Sequence, residues 1–113
     1  MQSEISIPKF TGKVIVAEDQ LHNMTVIKQL LRDLGKEKDC EFVYNGQEAV
    51  CKFSELVLSN NPVSHIITDF MMPRLNGIQT ILKIKEFVHD MNEKRELKIE
   101  LPKFYFMTNY RTP

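Results

Sequence analysis

The sequence predicts an α/β fold, a doubly wound parallel sheet with helices on both faces. Three observations predict it. Short apolar runs of strand length recur along the chain, segments of helical periodicity separate them, and Gly, Pro or Asn mark the breaks.

Lys13 to Ala17 is a nearly continuous apolar run ending in Glu18-Asp19, as suits a strand covered on both sides. Leu21 to Leu34 follows as a helix, with Met24, Ile27, Leu31 and Leu34 at helical spacing and Val26 and Leu30 widening the apolar stripe. Gly35 stops it. Cys40 to Tyr44 reads as a second strand. Asn45-Gly46 can centre a hairpin, but Val50, Phe53 and Val57 then recur on one helical side over Gln47 to Leu58, so a strand-to-helix turn is the better reading. Asn60-Asn61-Pro62 breaks that helix. Ser64 to Asp69 is the third strand, and a helix from about Asn76 offers Ile78, Ile81, Leu82 and Val88 to the sheet. The polar stretch from His89 to Lys98 ends that helix and begins a long connection, and Lys103 to Thr108 is a fourth strand. Right-handed crossovers turn this βαβαβαβ order into a parallel sheet.

The bulk properties narrow the function. With 113 residues the chain suits one domain, and 42% hydrophobic against 27% charged residues is a globular balance. Residues 1–12 read as a lead-in without the basic and apolar regions of a secretory signal, and no apolar run is long enough to span a bilayer, so the cytosol is the expected compartment. Fifteen basic residues balance fifteen acidic ones, which argues against a nucleic-acid footprint over the whole surface. Cys40 and Cys51 lack a ligand cluster and read as buried or half-buried thiols.

Chemistry concentrates at the carboxyl ends of the strands. The predicted register leaves Glu18, Asp19, Asp69 and Thr108 there, the edge at which open α/β sheets form their sites. Three carboxylates at one edge repel each other unless a cation joins them, and Mg²⁺ prefers such hard oxygen donors. An Asp carboxylate can also attack phosphorus. Each residue has a plainer reading: Asp19 can cap the first helix, Asp69 can be a turn residue, and Thr108 a β-branched strand residue.

Taken together, these residues resemble the receiver domains of response regulators and hybrid histidine kinases in two-component phosphorelays. The likeness runs through Val14 to Asp19, Asn23, Ile27 to Gly35, Tyr44 to Val50, Ile66 to Pro73, Asn76-Gly77 and Phe106 to Thr108. Asn23, four residues after Asp19, is most like receivers attached to hybrid kinases. The resemblance implies a flavodoxin-like receiver fold over residues 13–113 with the last helix-strand-helix portion missing. It implies Asp69 as the phosphoacceptor and Asp19 as a direct Mg²⁺ ligand, with Glu18 as its companion. Met71 would lend its backbone carbonyl to the metal, Pro73 and Gly77 would shape the loop into the third helix, and Thr108 would engage the phosphoryl group. The implied partner is a histidine kinase or a histidine-containing phosphotransfer protein, in the same parent chain or another, and the parent can be a membrane-bound hybrid kinase with this part in the cytosol.

Three departures accompany the likeness. Asn109 stands where the family usually has a small residue. The connection from His89 to Pro102 is longer than typical. The lysine that ends the family's fifth strand has no counterpart, and without the further elements the fourth strand is expected to be an exposed edge. A receiver-like interaction domain without phosphorylation is therefore the alternative. An aspartyl phosphatase would want a second Asp where Met71 stands. His22, His65 and His89 read as structural or exposed, Met72 as flexible packing and Tyr110 as outside the usual aromatic position.

Overall fold

The computed structural model describes residues 11–69, 72 and 75–107. Strand β1 spans Lys13–Ala17, helix α1 Leu21–Asp33, β2 Cys40–Val43, α2 Gly46–Leu58, β3 Val63–Asp69, α3 Gly77–Lys94 and β4 Lys103–Met107. A single turn of 3₁₀ helix, Glu37–Asp39, leads into β2. All strand pairs are parallel and the sheet order is β2-β1-β3-β4. The crossover reverses direction after β2, so β1 and β3 are the neighbours between which a crevice opens.

Alternation along β1 sends its side chains to two cores. Ile15 and Ala17 join Val43, Ala49, Phe53, Leu56, Ile66, Ile84 and Val88 beneath α2 and α3. Val14 and Val16 face the other way, against Leu31 and Cys40 with Ile27 and Phe42 alongside. The Phe53 and Phe87 rings meet edge to face at 6.0 Å between centroids, which ties α2 to α3.

Local sequence explains the boundaries. Gly35 takes φ 71°, donating its N–H to the Arg32 carbonyl (3.0 Å), while the Lys36 N–H reaches the Leu31 carbonyl (2.8 Å). That pair of bonds is a Schellman ending. Asn45 caps α2, accepting the Glu48 N–H at 2.8 Å, and Glu48 accepts the Tyr44 N–H at 2.8 Å. Asn76 and Gln79 form a capping box at α3.

Several expectations need correction. Val26 and Leu30 are exposed, and α1 buries Met24 and Leu31 instead. On α3, Ile78 and Leu82 face solvent while Thr80, Ile84 and Val88 are buried. Nor does α3 end at His89: it runs to Lys94. Asn92 then pins the connection, donating to the Ile99 carbonyl at 3.0 Å and accepting the Ile99 N–H at 2.9 Å. Cys40 is buried, and burial pushes its thiol up to about 11, whereas Cys51 is exposed. His65 lies inside β3, buried, with its ring stacked on Tyr105 at 5.7 Å. Among the described residues β4 is an edge strand, and Tyr105 and Phe106 are 41% and 40% exposed. No described helix is long and apolar enough to cross a membrane.

Candidate functional site

Because β1 and β3 are adjacent and parallel, their carboxyl ends deliver acidic groups to one place. Ala17 pairs with Thr68, so Glu18 and Asp69 emerge side by side. One carboxylate oxygen from each of Glu18, Asp19 and Asp69 lies within 4.8 Å of the others. Glu18 and Asp69 are buried and Asp19 is the most open of the three.

The cluster is not explained by helix capping. The residue at the amino end of α1 is Gln20, and no side chain caps that helix. Glu18 is instead held locally, its carboxylate accepting the Gln20 N–H at 3.0 Å. Burial pushes the Glu18 carboxyl above its ordinary range; the Gln20 bond offsets part of this, the Asp69 charge adds to it, the Asn23 amide opposes it and Asp19 raises it further. A buried carboxylate among like charges is costly unless a cation neutralises it. Hard oxygen donors at this spacing fit a divalent ion such as Mg²⁺.

The floor of the site is closely packed. Thr68 is fully buried and its hydroxyl donates to the Asp69 carbonyl at 3.0 Å. At Gly77, the first residue of α3, an added Cβ would sit 3.1 Å from that same carbonyl oxygen and 2.5 Å from the Phe106 ring. Of the residues singled out from the sequence, Glu18, Asp19, Asp69 and Gly77 thus meet at this edge. Thr108, Met71, Pro73, Asn109 and Tyr110 lie outside the described residues. His22 and His89 are exposed on α1 and α3. The spacing of Asn23 from Asp19 gives no sign that its amide bears on Glu18, as it does here. Thr80 is polar, so a search for apolar periodicity passes over it, yet it is fully buried.

Known proteins resemble this chain in sequence and in fold. The chain is 32% identical over 95 residues to hybrid signal transduction histidine kinase L of Dictyostelium discoideum, covering 84% of this chain and 5% of that protein. It is 35% identical over 72 residues to two-component response regulator 24 of Arabidopsis thaliana, covering 64% of this chain and 48% of that protein. The chain thus spans about a twentieth of that kinase and about half of that regulator. Among solved structures, the receiver domain of Ssk1 from Saccharomyces cerevisiae, crystallised with the histidine phosphotransfer protein Ypd1, superposes with a TM-score of 0.65. Its identity is 23%, with 93% of this chain and 69% of that one covered. The receiver domain of the Arabidopsis thaliana histidine kinase CKI1, complexed with Mg²⁺ and BeF₃⁻, gives the same score at 16% identity, covering 89% and 69%. Residues 14–92 match the family described as the response regulator receiver domain, well over half of the chain, and the chain belongs to that family.

Proposed function

We propose that this domain accepts a phosphoryl group on Asp69, with Mg²⁺ bound by Glu18, Asp19 and Asp69. The observation that carries the reading is the convergence of three carboxylates within 4.8 Å where β1 and β3 emerge together. An Asp69 oxygen attacks phosphorus in line with the donor's leaving atom. The new O–P bond forms as the donor's N–P or O–P bond breaks, and the leaving group departs with that bonding pair. The product is an acyl phosphate.

Glu18, Asp19 and Asp69 would hold the magnesium, which would supply positive charge to offset the carboxylates and the transferring phosphoryl group. The chain's own part is placement. Thr68 and the Gly77 turn fix the end of β3, and the Gln20 N–H orients Glu18. By family resemblance Met71 would lend a backbone carbonyl to the metal, Thr108 would bond the transferred group, and Pro73 and Gly77 would shape the loop. Magnesium in the CKI1 receiver complex supports the choice of ion. A phosphohistidine on a histidine kinase or a phosphotransfer protein is the donor, a pairing supported by the hybrid-kinase relatives and by the Ypd1 complex of Ssk1. The domain accepts a group once and releases it slowly, which differs from turnover of a substrate.

The test is incubation with Mg²⁺ and a small acyl phosphate donor, followed by borohydride trapping and peptide mapping. Label is expected on Asp69 alone and is expected to vanish in Asp69→Asn. Label on another residue, or labelling that survives the substitution, overturns the assignment.

A further inference from the structure

We infer that Gly46, on a different element from the carboxylates, is a positioning residue for the site, because its missing side chain is the seat of Leu75 and Thr80 at the start of α3. The inference rests on reading Asp69 as the acceptor and extends the machinery to the start of α2.

Gly46 is buried as the first residue of α2. A Cβ built there would clash with the Thr80 hydroxyl and the Leu75 carbonyl oxygen, and would lie 2.6 Å from the Leu75 Cβ. Two of these three neighbours belong to Leu75, and one is rigid backbone, so no rotamer change makes room. The third is committed as well. Thr80 is fully buried and its hydroxyl donates to the Asn76 carbonyl at 2.8 Å, beside the 2.9 Å bond from its own N–H to the same oxygen.

The contact continues to the site in two steps. Asn76 caps α3 through the capping box with Gln79. The next residue, Gly77, packs against the Asp69 carbonyl and the Phe106 ring. The start of α3 thus leans on the end of β3 through Gly77 and on α2 through Leu75 and Thr80. A methyl group at position 46 must displace Leu75 and Thr80, and Gly77, which lies between them in sequence and packs on the Asp69 carbonyl, shares that displacement. Conformation is not the constraint here, since Gly46 lies within helix and its φ is not positive. Space alone requires glycine.

Gly46→Ala in the full chain tests this, beside Phe53→Leu as a control that loosens the same helix from its core side. Magnesium affinity is measured by calorimetric titration with the metal alone, and the initial rate of Asp69 labelling with a small acyl phosphate. Gly46→Ala is expected to weaken magnesium binding by about tenfold and to slow labelling by about a hundredfold. Phe53→Leu should lower the melting temperature with both values unchanged. If Gly46→Ala does not fold, Thr80→Val takes its place: it keeps the shape, removes the bond to the Asn76 carbonyl, and should weaken magnesium binding several-fold. Parental affinity in whichever of these two variants folds overturns the inference, and so does equal weakening in Phe53→Leu, which marks general loosening. Absence of label on Asp69 in the unsubstituted protein refutes the phosphoacceptor reading instead, and the metal titration still decides the role of Gly46.

Discussion

Glu18 and Asp19 are neighbours in sequence held in different ways. Glu18 is buried, tied to the Gln20 N–H and raised in pKa chiefly by desolvation, while Asp19 faces solvent more openly. Asp19→Asn is therefore expected to abolish most magnesium binding while leaving the fold intact, since one hard ligand is lost and carboxylate repulsion is relieved. Calorimetric titration, with thermal melting in chelator as the companion measurement, checks both halves; unchanged magnesium affinity counts against the site. His65 carries a second residue-level expectation. Its ring is buried against Tyr105, its Nδ1 lies 2.8 Å from the Ser64 hydroxyl, and Lys103 is its register partner on β4. Burial first, and Lys103 second, depress its pKa below 6.5. The folded state thus resists a proton that the unfolded chain accepts. The resulting stability is complete above pH 6.5 and is lost as pH falls from there through the folded pKa. In urea titrations at pH 7.5 and 5.5, His65→Phe should lose less stability on acidification than the parent. An identical loss in both proteins refutes the assignment.

The two glycines that begin and end helices illustrate opposite constraints. Gly35 has φ 71° and nothing within 4 Å of an added Cβ, so it is required by conformation, whereas Gly46 is required by space. Gly35→Ala should cost about 1–2 kcal/mol in chemical denaturation, the left-handed penalty of an L-residue. A neutral substitution would show that the α1 ending relaxes. Gly35 was legible in the sequence because it follows a periodic run, and the strands were legible because their apolar runs end abruptly in polar residues. The inward faces of α1 and α3 were less so. Both helices carry apolar residues on more than one stripe, and periodicity alone gives no sign of which stripe meets the sheet. On α3 the buried stripe even includes Thr80, which is accommodated because its hydroxyl donates to the carbonyl of the capping Asn76. The end of α3 was missed for a related reason: a polar exposed face looks like a loop until its tertiary anchor, here Asn92 on Ile99, is seen.

At the scale of the molecule, the acidic edge could be read from sequence because parallel crossovers carry every strand's carboxyl end to the same side. The seat beneath the start of α3 could not, because it depends on how closely α2 approaches α3. The strand order also sets when the site can exist. Ala17 meets Thr68 about fifty residues further along the chain, and that pairing sets Asp69 beside Glu18. Helices close locally and early, while a pairing of that span must first overcome the entropy of closing the intervening loop. During refolding, magnesium uptake, followed by release of the ion from a fluorescent chelator, should therefore rise in step with exchange protection of the β1 and β3 amides, even where the helical signal recovers sooner. Uptake that runs ahead of that protection would mean the carboxylates gather without the sheet. The metal site is thus a reporter of one long-range event in the folding reaction, and a chain that cannot complete that event is blind to the ion.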